Sequence, residues 1–243
     1  MGRGRSVAAA TCRIAILAPM RIELRPLVGP LGLAPSRERG SELLWGAAGR
    51  VEVVAALTGI GMPAGARVAA KILDATSPDH LIVVGIAGGI GESVAIGDPI
   101  APERVLNLDT GETFLPTPLG DASPRGILAS SDVLIEAPEA AARLGDRGIV
   151  AIDMETAAIA AVCERAGCPW SVSRAISDRA DDGTTDGAIL GLADANGRAD
   201  LAAVVRFVLT RPHRIPQLMR LGRGARVATR VAAGRALAAL ESL

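Results

Sequence analysis

Four short runs rich in Val, Ile and Ala, each bounded by Gly or Pro, limit the folds open to this 243-residue chain. The runs lie at residues 13–18, 51–57, 80–89 and 169–177. Continuous apolar runs of this length are typical of strands that are buried in a mostly parallel sheet. Apolar residues at helical spacing fall between the runs, at 63–75 and 154–167. Strands that alternate with helices predict a layered α/β fold.

The middle of the chain is rich in turn-forming residues. Residues 96–120 contain many Gly, Pro, Asp and Thr, which predicts hairpins and loops inserted into the sheet. With 49% hydrophobic residues the chain can bury one large core, so we expect a single domain over 13–210. We expect a flexible N-terminus at 1–12 and a basic helical extension at 211–243.

The composition argues against several functions. Two histidines, and three cysteines without paired spacing, make a His/Cys metal cluster implausible, so we expect no metal and no cofactor. The absence of Tyr, with only two Phe and two Trp, leaves few rings to stack on bases, so we expect no nucleic-acid partner. We recognise no signal peptide and no apolar run of about 18 residues, which favours a cytoplasmic protein.

Polar residues interrupt the apolar runs near the predicted strand ends. Glu23 follows the first run, and Arg174 and Asp178 close the last. Met154 and Glu155 open the second helical pattern. Ligands of open α/β sheets bind in the crevice outside the carboxyl ends of the strands. These side chains can therefore converge on one site although the chain separates them widely.

Two glycine-rich stretches, at 58–65 and 85–91, border the predicted strands. Glycine at a strand end lets backbone amides approach a ligand, and a helix that begins after it favours anions. Taken alone, either stretch is better explained as a tight turn, because neither contains the full dinucleotide fingerprint or the Walker lysine. The amides around Gly59 and Gly61, with Arg21, are our candidates for an anion pocket.

Each polar residue also has a purely structural explanation. Asp153 fits a helix N-cap, and Glu155 alone fits a first-turn acid that faces the helix dipole. Arg174 alone fits a structural ion pair, and Asp178 alone fits an Asx turn. The joint pattern favours a site that includes Glu155, Asp178 and Glu23, whereas Asp153 is kept as a cap.

Five pieces of the chain carry a family resemblance. In order they read "IAILAPMRIEL", "TGIGMPAGARVAA", "VVGIAGGI…IGDPI", "DMETAAIAAVC" and "RAISDRAD", and they span nearly all of residues 13–182. Together they resemble the purine nucleoside and uridine phosphorylase superfamily, most closely its methylthioadenosine/S-adenosylhomocysteine nucleosidases. The resemblance implies a nucleoside phosphorylase-like fold, with a central mixed sheet flanked by helices. It also implies an enzyme that cleaves the N-glycosidic bond of a 5′-substituted adenine nucleoside.

The resemblance assigns roles to single residues. Glu23 matches the acid that activates the attacking water, and Arg174 matches the arginine that helps to hold that water or its substitute. Asp178 matches the acid that donates a proton toward the purine N7 as the base departs. Glu155 matches the carboxylate that binds the ribose hydroxyls, with Met154 packed against the sugar. Such cleavage builds oxocarbenium character on the sugar, so two differently tuned carboxylates suit it.

The chain departs from the nucleosidase pattern at two positions. Ile86 replaces a serine in the motif "GIAGG", which also supplies Ala87 and Gly88 to the expected substrate site. Leu134 stands where nucleosidases often stack a phenylalanine on the base. The departures motivate a rival from another class, a catalytically inactive nucleoside-binding or membrane-scaffold protein. The retained water-activating and proton-donating acids count against that rival.

The C-terminal tail is basic. Residues 204–243 carry eight arginines against a single acid, and the tail resembles the extension of hopanoid-associated phosphorylases, which remove adenine from adenosylhopane. Arg223, Arg226 and Arg230 have the spacing of one helix face. The tail can therefore contact an anionic membrane surface peripherally. A solvated helix docked on the domain or on a dimer partner is the equal alternative.

The sequence is compatible with either water or phosphate as the molecule that accepts the sugar. Glu23 favours water, because a carboxylate beside the nucleophile repels phosphate, whereas the anion-pocket candidates favour phosphate. Phosphorolysis of adenosylhopane is therefore the alternative function. The expected partners are a small-molecule nucleoside, phosphate in the phosphorolytic case, and further copies of the chain in a homo-oligomer, with a dimer preferred.

Overall fold

The structure is a computed structural model that describes residues 12–36, 42–121, 123–133, 137–179 and 210–242. The strands are β1 (Cys12–Ala18), β2 (Ala34–Pro35), β3 (Leu44–Ala48), β4 (Val51–Leu57), β5 (His80–Gly89), β6 (Pro99–Ile100), β7 (Arg104–Asn107), β8 (Thr113–Phe114), β9 (Ile127–Ser130), β10 (Ile149–Asp153) and β11 (Trp170–Arg179). The helices are α1 (Arg21–Val28), α2 (Met62–Thr76), α3 (Pro138–Gly145), α4 (Thr156–Ala166) and α5 (Ile215–Glu241), the last preceded by a 3-10 turn at Pro212–Arg214.

The strands form one mixed sheet. Its order is β2-β3-β4-β1-β5-β10-β9-β7-β8, while β11 pairs with β5 and with β6. β1 is parallel to β4 and β5, and β11 is parallel to β5, whereas β10 runs antiparallel to β5. The central strand β5 therefore joins the two parts of the sheet. The predicted α/β fold with a central mixed sheet flanked by helices is confirmed.

Most predicted elements are present at the expected places. The four apolar runs correspond to β1, β4, β5 and β11, and the two helical patterns correspond to α2 and α4. The turn-rich middle segment contributes β6 and the antiparallel pair of β7 and β8. The expected flexible N-terminus, residues 1–12, lies outside the described residues except for Cys12, which begins β1.

The C-terminal helix α5 is part of the core. Its buried face consists of small or apolar residues that pack against β11, β5 and α1: Gly224, Ala228, Thr229, Ala232, Ala233, Ala236, Ala239 and Leu240. Ser173 Oγ on β11 donates a hydrogen bond of 2.7 Å to the carbonyl oxygen of Ala232. The predicted helix is confirmed. The helix docks on the domain, which is one of the two alternatives for the tail, and Pro216 lies in its first turn, where the missing N–H removes no helical hydrogen bond.

The outer face of α5 carries the basic residues. Arg223, Arg226 and Arg230 are exposed, as their helical spacing indicates. Among the described residues, no helix has the length and apolar character needed to cross a membrane.

At Gly224 the helix α5 packs closely against β11. A Cβ atom added at Gly224 would lie 2.0 Å from the carbonyl oxygen of Ser177 on β11. We expect Gly224→Ala to push α5 away from β11 and to lower the free energy of unfolding by about 1–3 kcal/mol. Urea denaturation measures the change.

Gly234→Ala is the matched control in the same helix, since an added Cβ there meets no atom within 4 Å. We expect it to be neutral or to stabilise the protein by about 0.5–1 kcal/mol, because alanine has the higher helix propensity. Equal unfolding free energies for the two variants would contradict the tight packing of α5 on β11.

Candidate active site

A cavity of about 180 Å³ opens at the carboxyl ends of β1, β5 and β11. Its polar lining consists of Glu23, Ser131, Asp153, Glu155, Arg174, Ser177 and Asp178. Its apolar lining consists of Pro19, Met20, Ile60, Ile86, Ala87, Val133, Ile152 and Met154. Because these three strands are parallel, their carboxyl ends share one edge of the sheet. The topology thus brings together side chains from distant parts of the sequence.

Arg174 on β11 is the centre of the polar cluster, and its side chain is only 1% exposed. Its Nε lies 2.8 Å from Asp153 Oδ2, and its Nη2 lies 3.0 Å from Glu155 Oε2. Its Nη1 donates to the carbonyl oxygen of Ile86 at 2.7 Å and lies 3.8 Å from Glu23 Oε1. Three carboxylates therefore surround one buried guanidinium, which leaves the cluster with an excess of potential negative charge.

Glu23 occupies the first turn of α1, and its side chain is 1% exposed. Its Oε2 accepts a hydrogen bond of 2.6 Å from the Met20 N–H at the helix start, as in half of a capping box. Its Oε1 accepts one of 2.8 Å from the Ile86 N–H. Burial raises the pKa of Glu23 to about 8, and Glu155 adds to the rise, while Arg174 and the two N–H groups oppose it. The carboxyl can therefore exchange a proton near neutral pH.

Glu155 precedes α4 and joins three elements. Its Oε1 accepts a hydrogen bond of 3.0 Å from the Gly61 N–H at the start of α2, and its Oε2 accepts one from Arg174. Burial raises the pKa of Glu155, Arg174 opposes that rise, and the charge of Asp153 adds to it. Each carboxylate oxygen has a second acceptor site. Glu155 can therefore also accept hydrogen bonds from two ligand hydroxyls.

Asp178 lies near the end of β11, in register with Gly88 on β5. Ser177 Oγ donates a hydrogen bond to Asp178 Oδ1. Gly88 is two residues along β5 from Ile86, which holds Glu23, so these two backbone positions are about 6–7 Å apart. The cavity thus carries two carboxyl groups, Glu23 and Asp178, near different positions at the carboxyl end of β5.

Most of the predicted site residues meet at this cavity. Its lining includes Glu23, Ile86, Ala87, Gly88, Met154, Glu155, Arg174 and Asp178. Leu134, predicted to contact the base, lies outside the described residues.

The predicted anion pocket is not formed. The Gly59 N–H donates to the carbonyl oxygen of Pro19 at 3.2 Å, and the Gly61 N–H donates to Glu155. Arg21 is exposed at the start of α1 and does not line the described cavity. These amides serve the protein's own acceptors, so the expectation that they bind an anion is corrected.

Sequence reasoning missed three polar side chains of the cavity lining: Asp153, Ser131 and Ser177. Asp153 Oδ1 accepts a hydrogen bond of 3.3 Å from the Thr156 N–H, so the predicted capping contact is present, although α4 begins only at Thr156. The ion pair of Asp153 with Arg174 was not foreseen, because no local pattern links the two. Ser177 was also missed, and its place directly before Asp178 was the available signal. Among the described residues, no group of His, Cys, Asp or Glu is arranged to hold a metal ion.

Comparisons with known proteins are consistent across sequence and structure. The model of the Phosphorylase superfamily matches residues 13–125 and 118–210. A 5′-methylthioadenosine/S-adenosylhomocysteine nucleosidase of Shewanella baltica is 27% identical over 201 residues, which cover 70% of this chain and 85% of that protein.

Solved structures show the same fold. The 5′-methylthioadenosine/S-adenosylhomocysteine nucleosidase from Neisseria meningitidis, in complex with methylthio-immucillin-A, gives a TM-score of 0.72 at 21% identity, covering 95% of this chain and 99% of that one. Futalosine hydrolase of Helicobacter pylori gives 0.71 at 19% identity, covering 96% and 98%. Coverage this complete, which includes the C-terminal part of the chain, indicates that α5 belongs to the shared fold.

Proposed function

The chain belongs to the phosphorylase superfamily, and from that premise we propose that it is an N-ribosyl hydrolase. It cleaves the N-glycosidic bond of a 5′-substituted adenine nucleoside and releases adenine, with water as the acceptor. The choice of water as the acceptor rests on the groups that surround Arg174. Among the described residues it is the one cation that lines the cavity, and the carboxylates of Asp153, Glu155 and Glu23 already surround it.

Phosphate would be poorly accommodated in this cluster. A phosphate near Arg174 would face the carboxyl groups of Asp153, Glu155 and Glu23, and each of them that is ionised repels a phosphate strongly in a buried site. The amides that are the usual alternative ligands are occupied at Gly59 and Gly61. A water molecule carries no charge, and it can donate a hydrogen bond to Glu23. The cluster therefore supports hydrolysis better than phosphorolysis.

The proposed mechanism assigns one task to each polar group. Ionised Glu23 accepts a proton from the attacking water, as a base with a pKa of about 8 can do near neutral pH. Asp178 delivers a proton toward the departing base, and Glu155 accepts hydrogen bonds from the ribose hydroxyls. Those bonds strengthen as positive charge develops on the sugar ring. Met154 packs against the sugar.

The names of the relatives and the apolar lining support the substrate class. The sequence relatives are nucleosidases of 5′-methylthioadenosine and S-adenosylhomocysteine, both of which are 5′-thio-substituted adenosines. The cavity presents Met20, Ile60 and Val133 beside its polar groups, and such side chains suit a purine ring and an apolar 5′ substituent. We therefore choose 5′-methylthioadenosine as the first substrate to test.

The deciding experiment measures adenine release from 5′-methylthioadenosine with and without phosphate. We expect the rate to change by less than about twofold when phosphate is added, since the acceptor is water, and we expect the sugar product to carry no phosphate. Chromatography resolves both products. Strict dependence on phosphate, with a sugar 1-phosphate as product, would overturn the hydrolase assignment in favour of phosphorolysis, as on adenosylhopane. Binding without turnover would favour the inactive nucleoside-binding protein.

The proposal includes two contacts beyond the substrate. The chain forms a homo-oligomer, and the exposed arginines of α5 contact an anionic membrane surface peripherally, each contributing roughly 1 kcal/mol near that surface. Because α5 is part of the core, substitutions test the membrane contact better than truncation. Replacing Arg223, Arg226 and Arg230 by Gln should abolish cosedimentation with anionic vesicles at low salt. Failure of the unmodified protein to cosediment with these vesicles would contradict the proposed membrane contact.

A further inference from the structure

Asp153 makes more contacts than a helix cap requires. Its side chain is 1% exposed. Oδ1 accepts a hydrogen bond of 2.6 Å from Ser130 Oγ and a longer one from the Thr156 N–H. Oδ2 accepts one from Thr156 Oγ1 and lies 2.8 Å from Arg174 Nε. Oδ1 therefore holds the start of α4, whereas Oδ2 is shared between the Thr156 side chain and the guanidinium at the centre of the site.

The pairing of Asp153 with Arg174 Nε fixes the directions in which Nη1 and Nη2 donate their hydrogen bonds. With Nε taken, Nη2 is directed at Glu155 Oε2 at 3.0 Å, and Nη1 at the carbonyl oxygen of Ile86 at 2.7 Å. The same Ile86 residue donates its N–H to Glu23 Oε1. A guanidinium presents its donors in a rigid planar fork, so fixing one edge fixes the direction of the others.

We propose that Asp153 is a positioning residue for N-glycosidic cleavage, which holds Arg174 by Nε and shares its charge, so that the other two guanidinium nitrogens stay directed at Glu155 and at the Ile86 carbonyl beside Glu23. This inference rests on the proposed hydrolase function and deepens it. In the proposed mechanism Asp153 makes no bond to the substrate. It acts through Arg174.

The charge argument has a definite sign. The groups that face Glu23 are Arg174 from β11, Glu155 before α4, and the N–H groups of Ile86 and Met20. If Asp153 loses its charge, Arg174 is shared by two carboxylates instead of three. Glu155 and Glu23 then feel more of the positive charge, and the pKa of each falls. A base with a lower pKa stays ionised at lower pH and accepts the proton of water less readily.

The test is Asp153→Asn, which keeps the shape and removes the charge. We expect kcat at the plateau to fall about tenfold or more, with a smaller change in KM. We also expect the acid limb of the pH profile of kcat/KM to move to lower pH by about one unit. Ser130→Ala is the matched control, because it removes the uncharged hydroxyl that donates to Oδ1 and accepts from the Ala157 N–H, and it leaves the ion pair intact. It should lower the melting temperature without moving the acid limb.

A second variant protects the test against loss of folding. Asp153→Glu retains the charge with a changed length, so its acid limb should stay at the pH of the unmodified protein while kcat falls. An unmoved acid limb and a normal kcat in folded Asp153→Asn would overturn the inference and leave Asp153 a cap. The inference also fails if Asp153→Glu moves the limb as far as Asp153→Asn. Failure of the unmodified protein to release adenine, with or without phosphate, would instead overturn the proposed function.

Discussion

Glu23→Gln should lower the rate of adenine release by a factor of about 10²–10⁴ at pH 8. Glutamine has nearly the same shape as the protonated glutamic acid, and its oxygen can still accept a hydrogen bond from the Ile86 N–H, but it cannot take a proton from water. The unmodified protein should show a rate that rises with pH and levels off above about 8, the pKa to which burial raises Glu23. The variant should lack this dependence.

The same substitution should not unfold the protein. Because the pKa of Glu23 is higher in the folded chain than in the unfolded chain, folding binds a proton between about pH 4.5 and 8, and stability falls as pH rises through that window. Glutamine removes this pH-dependent loss, although its NH2 group cannot accept the hydrogen bond that Oε2 accepts from the Met20 N–H. The melting temperature of Glu23→Gln should therefore depend less on pH between about 4.5 and 8 than that of the unmodified protein.

Glu164→Gln is the control for this prediction. Glu164 is exposed on α4, away from the cavity lining, so its substitution changes the net charge by the same amount without touching the site. We expect normal turnover from it. Turnover within a few-fold of normal in Glu23→Gln would remove Glu23 from the mechanism.

The fold was predictable where burial of a long element left a clear pattern of apolar residues in the sequence. The strands β1, β4, β5 and β11 are long and buried, so their apolar runs are continuous in the sequence. The two-residue strands β2, β6 and β8 are too short to show a period, and their positions depend on pairing with distant strands. The helix α5 was predicted as an element, but the sequence did not decide whether it docks on the domain, because alanine and glycine on its buried face carry little hydrophobic signal. Small residues there permit close packing instead.

The candidate site was predictable as a set of residues but not as a network. The resemblance placed Glu23, Glu155, Arg174 and Asp178 together, and the cavity contains all four. The sequence could not show that Arg174 is already paired with acceptors on other elements, since ion pairs across strands leave no local pattern. For the same reason it offered the Gly61 amide as an anion ligand, whereas that amide binds a side chain of the protein. Which acceptor each N–H group binds is decided only in the folded structure.

We expect the second large effect on activity from a substitution of Gly85, because this residue lies beneath the contact between Glu23, the proposed general base, and Arg174. A Cβ atom added at Gly85 would lie 2.5 Å from Glu23 Oε1 and 2.7 Å from Arg174 Nη1. Both side chains are buried and held by several hydrogen bonds, so neither can turn away into solvent. The methyl group of Gly85→Ala must therefore displace one of them.

We expect Gly85→Ala to lower kcat by about 10²-fold or more, since small misplacements of a catalytic group have effects of that size. We also expect a loss of about 1–3 kcal/mol in the free energy of unfolding. Gly145→Ala is the control, because its added Cβ would make only an ordinary contact of 3.6 Å with Ile90. A folded Gly85→Ala protein with normal kcat would show that the reaction tolerates separation of Glu23 from Arg174. The buried cluster would then be a structural feature, and the attacking water would require another base.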